Sequence, residues 1–173
     1  MIKFLPWLMV VASLFILPSS VAQETRLLRQ PSISDSQITF VYGGDIWITD
    51  LSGQNTQRLT STAAVESHPH FSPDGQSVAF SSNRSGTNSV YIMSSSGGQA
   101  NRLSWHAAGG SVRGWTPDGQ KVLFASSRDT APRPINRLWT ISAEGGPAER
   151  VLNQWAYNGA YSGDGKHMVI DRM

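Results

Sequence analysis

The chain has 173 residues, 39% of them hydrophobic and 15% charged, with no cysteine and a formal charge of +2. That composition suits an ordinary globular chain and excludes disordered, fibrous and disulfide-scaffold classes. Lys3 falls in a segment expected to be removed, which leaves 13 basic and 12 acidic residues, or +1; with no basic run, there is no electrostatic footprint for nucleic acid.

Residues 1–22 read as a secretory signal peptide. Lys3 supplies the positive start, Phe4 to Leu17 an apolar stretch, and Ser20 and Ala22 the small residues that suit cleavage before Gln23. Fourteen helical residues reach about 21 Å, short of a hydrocarbon core of about 30 Å, so a membrane anchor is not expected once the signal is cleaved. The expected destination is outside the cytoplasm, in the periplasm. Without cysteine there is neither a lipid attachment site nor a disulfide, and an exported domain of this kind must rely on its core.

The remainder, residues 23–173, repeats. Phe71-Ser72-Pro73-Asp74-Gly75 returns 44 residues later as Trp115-Thr116-Pro117-Asp118-Gly119, and 46 residues after that as Tyr161-Ser162-Gly163-Asp164-Gly165. A degraded copy, Pro31-Ser32-Ile33-Ser34-Asp35, precedes them by 40. Proline presets φ, aspartate bonds to nearby amides and glycine accepts positive φ, so each copy makes a tight turn. An alternating strand follows each turn, with apolar pairs Ile38/Phe40, Val78/Phe80, Val122/Phe124 and Met168/Ile170 on one face. Thr39, Ala79, Leu123 and Val169 take the other face, which is apolar enough to imply a sheet covered on both sides.

A second strand carries an aromatic at 47, 91 and 139, spaced by 44 and 48, and a glycine turn leads from it to Arg58-Leu59, Arg102-Leu103 and Arg150-Val151 in the same register. No helical period intervenes. Four strands in about 44 residues is the signature of a propeller blade. A β-sandwich, the competing architecture, has no reason to repeat its turns and aromatics in phase. The expected fold is therefore all-β, a partial β-propeller of three four-stranded blades and the start of a fourth. From Gln23 to Met173 there are 151 residues, and 151/44 is about 3.4 blades, so a fragment of a six- or seven-bladed propeller is expected.

With these residues laid out, the Phe-Ser-Pro-Asp-Gly turn resembles the propeller repeat shared by TolB and the tricorn protease family. Ile46-Trp47-Ile48-Thr49-Asp50, Val65-Glu66-Ser67-His68-Pro69, Arg102-Leu103-Ser104-Trp105-His106 and Val112-Arg113-Gly114-Trp115 are more similar to the opening propeller of tricorn-like peptidases. The resemblance covers about Leu28 to Met173, with Gly163 departing from the expected proline and Ala131-Pro132-Arg133-Pro134 interrupting a hairpin. It implies the non-catalytic N-terminal propeller of an exported serine peptidase that gates or docks peptides. Its partners would be peptide or protein substrates and downstream PDZ-like and peptidase domains, with room for a homo-oligomer. The alternatives are a TolB-like interaction propeller and a propeller fused to another hydrolase. The family's catalytic residues lie outside its propeller, so none carries over.

His68-Pro69-His70 places two imidazoles two residues apart, but a third ligand of suitable spacing is missing, so these are expected to be inner-strand residues. Serines 72 and 162 and Thr116 sit in repeat turns, and no nucleophile elbow accompanies His106 or His167. Asp74, Asp118 and Asp164 recur on different blades, as turn formers do and calcium ligands do not. Arg84 and Arg128, in hairpin turns, could meet a peptide terminus or a partner, yet loop arginines are ordinarily solvated. Gly43-Gly44 and Gly109-Gly110 lack the strand-to-helix context of a phosphate loop. No catalytic, cofactor-binding or metal-binding residue is expected, and no cofactor.

Overall fold

The computed structural model describes residues 27–172. The signal-peptide reading of residues 1–22 lies outside the described residues. All the regular structure is strand: β1 (Arg29–Ile33), β2 (Gln37–Tyr42), β3 (Asp45–Asp50) and β4 (Gln57–Arg58) form sheet 1. Sheet 2 contains β5 (Glu66–Phe71), β6 (Ser77–Ser82), β7 (Ser89–Ser94) and β8 (Asn101–Arg102). Sheet 3 contains β9 (Ser111–Trp115), β10 (Lys121–Ser126), β11 (Arg137–Ser142) and β12 (Glu149–Arg150). β13 (Asn158–Tyr161) and β14 (Met168–Asp171) open a fourth sheet. Every pairing is antiparallel between neighbours in sequence, which is how a blade is built. The sheets meet through their first strands, β1 against β5, β5 against β9 and β9 against β13. An open arc of propeller blades results.

The repeat turn works as its residue types dictate. Ser72 Oγ donates to Asp74 Oδ1 at 2.5 Å and accepts from Ser77 N at 3.0 Å, while Gln76 N donates to the same carboxylate oxygen at 3.0 Å. Thr116/Asp118 and Ser162/Asp164 repeat the arrangement. In the degraded first copy Ser34 Oγ accepts from Gln37 N at 3.1 Å, so the serine's role survives without Asp-Gly. The turn glycines have φ near +70° and also lock blade to blade: a Cβ at Gly119 would lie 3.4 Å from Pro73, and one at Gly165 3.5 Å from Pro117.

Burial follows the alternation. Val78, Ala79, Phe80, Val122, Leu123 and Phe124 are all fully buried, so both faces of β6 and β10 are covered. Phe80, Tyr91 and Met93 pack on Val41 and Ile46 between sheets 1 and 2. Phe124, Trp139 and Ile141 pack on Ala79, Val90 and Leu103 between sheets 2 and 3. Leu123, Ala125 and Leu138 meet Ala156, Met168 and Ile170 between sheet 3 and the fourth. On the outer sheets the same positions are partly uncovered; Val169 is 77% exposed. Hydroxyls stitch the sheets as well: Ser32 Oγ accepts from Phe71 N at 3.2 Å and Ser81 Oγ from Val112 N at 2.8 Å.

Candidate functional site

The inner strands β1, β5 and β9 share an irregularity. Residues are inserted between Ser67 and His70 of β5, between Val112 and Gly114 of β9, and between Arg29 and Ser32 of β1. Such bulges re-aim side chains at a sheet edge. Gln30 and His68, at matching places, both have φ of +53°. The bulges turn a row of polar groups onto the inner wall: Gln30, His68, Ser111 and Arg113. His68 N donates to Gln30 Oε1 at 2.8 Å, and Ser111 Oγ lies 3.4 Å from His68 Nδ1.

Beside this row, His68, His70 and Arg113 line a cleft of about 360 Å³ with Asn158, Ile170 and Asp171 of the fourth sheet. Arg113 is held in place by Tyr157 O (2.9 Å from Nε), Ser111 Oγ (2.8 Å from Nη1) and Val112 O (2.9 Å), and stacks over the Tyr157 ring at 5.1 Å. Burial draws the Arg113 pKa down, and Tyr157 opposes that shift. Burial first, then the charges of His68 and Arg113, lower His70 to about 4; burial and Arg113 lower His68 too. At neutral pH His70 is therefore uncharged beside a fixed guanidinium.

This wall presents a fixed cation, two imidazoles and a hydroxyl. Ser111 Oγ accepts from Arg113, and Gln30, not a carboxylate, flanks the far nitrogen of His68 at 3.4 Å, so the acid of a serine–histidine–acid triad is missing from that position. Its chemistry suits carbonyl and carboxylate groups of a chain lying along the inner face. Among the described residues no group of three acidic, histidine or cysteine side chains could hold a metal ion.

The other sequence candidates are kept apart. His106 is exposed and accepts from Ala108 N at 3.1 Å, and His167 sits in the fourth turn, its N–H donating to Ser162 Oγ at 3.0 Å. Asp74, Asp118 and Asp164 each serve their own turn, whose hydroxyl and amide donors hold their carboxyls below the usual range. Gly109 and Gly110 mark a close approach: Gly110 N donates to Asn88 O at 2.7 Å, and a Cβ at Gly109 would lie 2.6 Å from that oxygen. The expectation of solvated loop arginines is overturned. Arg84 and Arg128 fold back over the aromatic pairs of their own sheets, and Arg128 is only 8% exposed. Cation–π stacking and a serine acceptor on the preceding strand outweigh hydration there. Arg113 entered the sequence reading only as part of the Val112-Arg113-Gly114-Trp115 resemblance, and its place two residues before the repeat turn on a first strand was the sign of a wall residue.

Repeated four-stranded antiparallel sheets joined at their first strands, with a polar inner wall, define a β-propeller domain. The family model for the tricorn protease N-terminal beta propeller domain matches residues 25–173, and the chain belongs to that family. It is 35% identical over 71 residues to the Tol-Pal system protein TolB of Desulfosudis oleivorans, covering 39% of this chain and 16% of that protein. It is 36% identical over 65 residues to tricorn protease homolog 1 of Streptomyces coelicolor, covering 38% of this chain and 6% of that protein. The crystal structure of the tricorn protease superposes with a TM-score of 0.68 at 23% identity, covering 80% of this chain and 14% of that one. The chain thus spans a small part of the length of these relatives.

Proposed function

We propose that the chain forms the non-catalytic N-terminal propeller segment of an exported, periplasmic tricorn-like serine peptidase, and that its inner wall guides or docks peptides. The reading rests on the cleft of His68, His70 and Arg113, a fixed cation beside the uncharged imidazole of His70 on the inward strands of a family propeller. A peptide backbone offers carbonyls and a terminal carboxylate to such a surface. The peptidase chemistry belongs to downstream PDZ-like and catalytic domains of a parent chain, and assembly into a homo-oligomer fits this role.

Labelling the intact gene product with a serine-directed fluorophosphonate tests the assignment. The modified serine is expected outside residues 27–172; a labelled serine within them, or no labelling of an active preparation, defeats it. Replacing Arg113 with serine in that protein should raise KM for peptides several-fold with little change in kcat.

A second reading is supported by the TolB match, which runs at nearly the same identity as the tricorn match. In it the wall binds a protein partner and no peptidase is attached. Recovery of a defined lipoprotein or Tol-system partner from periplasm, together with absence of serine labelling, would favour it.

A further inference from the structure

The repeat allows sheets 2 and 3 to be compared position by position. In sheet 2, fully buried Glu66 accepts from Thr62 Oγ1 at 2.8 Å, Ser82 Oγ at 3.0 Å and Arg84 Nη2 at 2.8 Å. Arg128 is the counterpart of Arg84: its Nε lies 3.3 Å from Ser126 Oγ, and its guanidinium stacks 4.8 Å from the Phe124 centroid and 5.3 Å from that of Trp139. The counterpart of Glu66 is Gly110, since Ser111 pairs with Ala125 as Ser67 does with Ser81. A Cβ at Gly110 would lie 2.8 Å from Phe124, so this packing has no room for a carboxylate there.

A second position differs as well. The third strand opens with Asp45 in sheet 1, Ser89 in sheet 2 and Arg137 in sheet 3. In the first two sheets that residue meets the fourth-strand arginine: Arg58 Nη2 donates to Asp45 at 2.6 Å and Arg102 Nη2 to Ser89 Oγ at 3.0 Å. Sheet 3 puts arginines, Arg137 and Arg150, at both positions. Arg150 turns instead to Asn153 at 3.2 Å and to the Trp139 ring at 5.3 Å.

By strand register Arg137, Trp139 and Arg150 share one face, over which Arg128 folds. Among the described residues, none of these three arginines hydrogen-bonds a carboxylate; Asp129 is exposed and acts on Arg128 only through its charge. Three buried donors have no acceptor: Arg128 Nη2, Arg137 Nε and Trp139 Nε1. These atoms are closed to solvent, so an acceptor reaches them only when an arginine side chain swings aside; water would then satisfy the donors but not the charge. An oxyanion does both, accepting several hydrogen bonds from a planar guanidinium fork.

We propose that the face of sheet 3 turned toward sheet 2 binds a small oxyanion, a phosphate or carboxylate group, through Arg128, Arg137 and the indole N–H of Trp139.

The test is thermal unfolding and titration calorimetry of the protein with inorganic phosphate and, in parallel, acetate, at constant ionic strength. A saturable rise in Tm with at least one anion is expected, and the arm that saturates identifies its chemistry. Arg137→Ser, which installs the residue of sheet 2, should weaken binding by about tenfold or more, the loss of one charge-assisted contact. Trp139→Phe keeps the ring, removes only the N–H and should weaken binding by about fivefold. Near-UV circular dichroism establishes that both variants are folded. The proposal is overturned if neither anion saturates, or if the rise is equal in wild type and both folded variants, as general exclusion of a salt from protein surface would give.

Discussion

Sheets 2 and 3 have the same turns, bulge and aromatic pair, yet a buried arginine meets a carboxylate in one and none in the other. In sheet 2 the Oε1 of a buried carboxylate, Glu66, accepts from Thr62, Ser82 and Arg84, while its Oε2 has no partner. In sheet 3 the carboxylate's place is Gly110, filled from the other side by Phe124, and Arg128 is left stacked but unpaired. The backbone plan of a blade therefore does not determine its electrostatics. One register position, acid or glycine, separates a blade whose buried arginine meets a carboxylate from one whose arginine meets none.

The largest effect should come from breaking the Glu66 network. Glu66→Ala leaves Arg84 buried without its partner and should cost about 3–5 kcal/mol in urea unfolding, discounted toward the lower figure because the Arg84 side chain is 22% exposed. A loss below about 1 kcal/mol would mean the two sheets are electrostatically alike. Gly110→Ala, at the matching place, should cost about 1–3 kcal/mol through overpacking against Phe124 and Val90. If it is tolerated, the absence of an acid in sheet 3 has no steric cause.

The wall supplies a pH test. The folded pKa of His70, about 4, lies below its ordinary 6.5, so between those values the unfolded chain binds more protons. The stability associated with neutral His70 is complete above pH 6.5 and is lost as pH falls toward 4. Going from pH 7 to pH 5 should cost about 1–2 kcal/mol, and His70→Gln should flatten the profile. An unchanged profile in the variant would assign the acid sensitivity elsewhere.

Arg128→Met should be neutral or stabilising by up to about 1 kcal/mol, because it removes an unpaired buried charge and keeps apolar volume; a clear loss would show that the charge already has a partner. Smallest of all, Asp74→Ala and Asp118→Ala should lower Tm slightly and equally, since both carboxylates are exposed and serve identical turns. Unequal losses would show that the two blades differ in backbone as well as in charge.

Much of the fold was legible in the sequence. The turns at Ser72 to Gly75 and Thr116 to Gly119 declare themselves because proline, aspartate and glycine each act on their own neighbours. The two-sided burial of β6 and β10 follows from apolar residues at adjacent positions, Val78-Ala79-Phe80 and Val122-Leu123-Phe124. The wall was less legible. His68 and His70 were noticed, but their meeting with Arg113 and Asp171 joins three strands from three sheets. Arg84 and Arg128 were misread because a residue just after a strand gives no sign of whether its side chain reaches water or turns back over its own sheet.

The sequence by itself determined the repeat, its strands and its turns, because these depend on local propensity and on a spacing that can be counted. Only the tertiary structure decided which charges are paired. Glu66 meets Arg84 across 18 residues, and Arg128 meets no carboxylate, because bulge, register and the packing of Phe124 set distances that no single strand encodes.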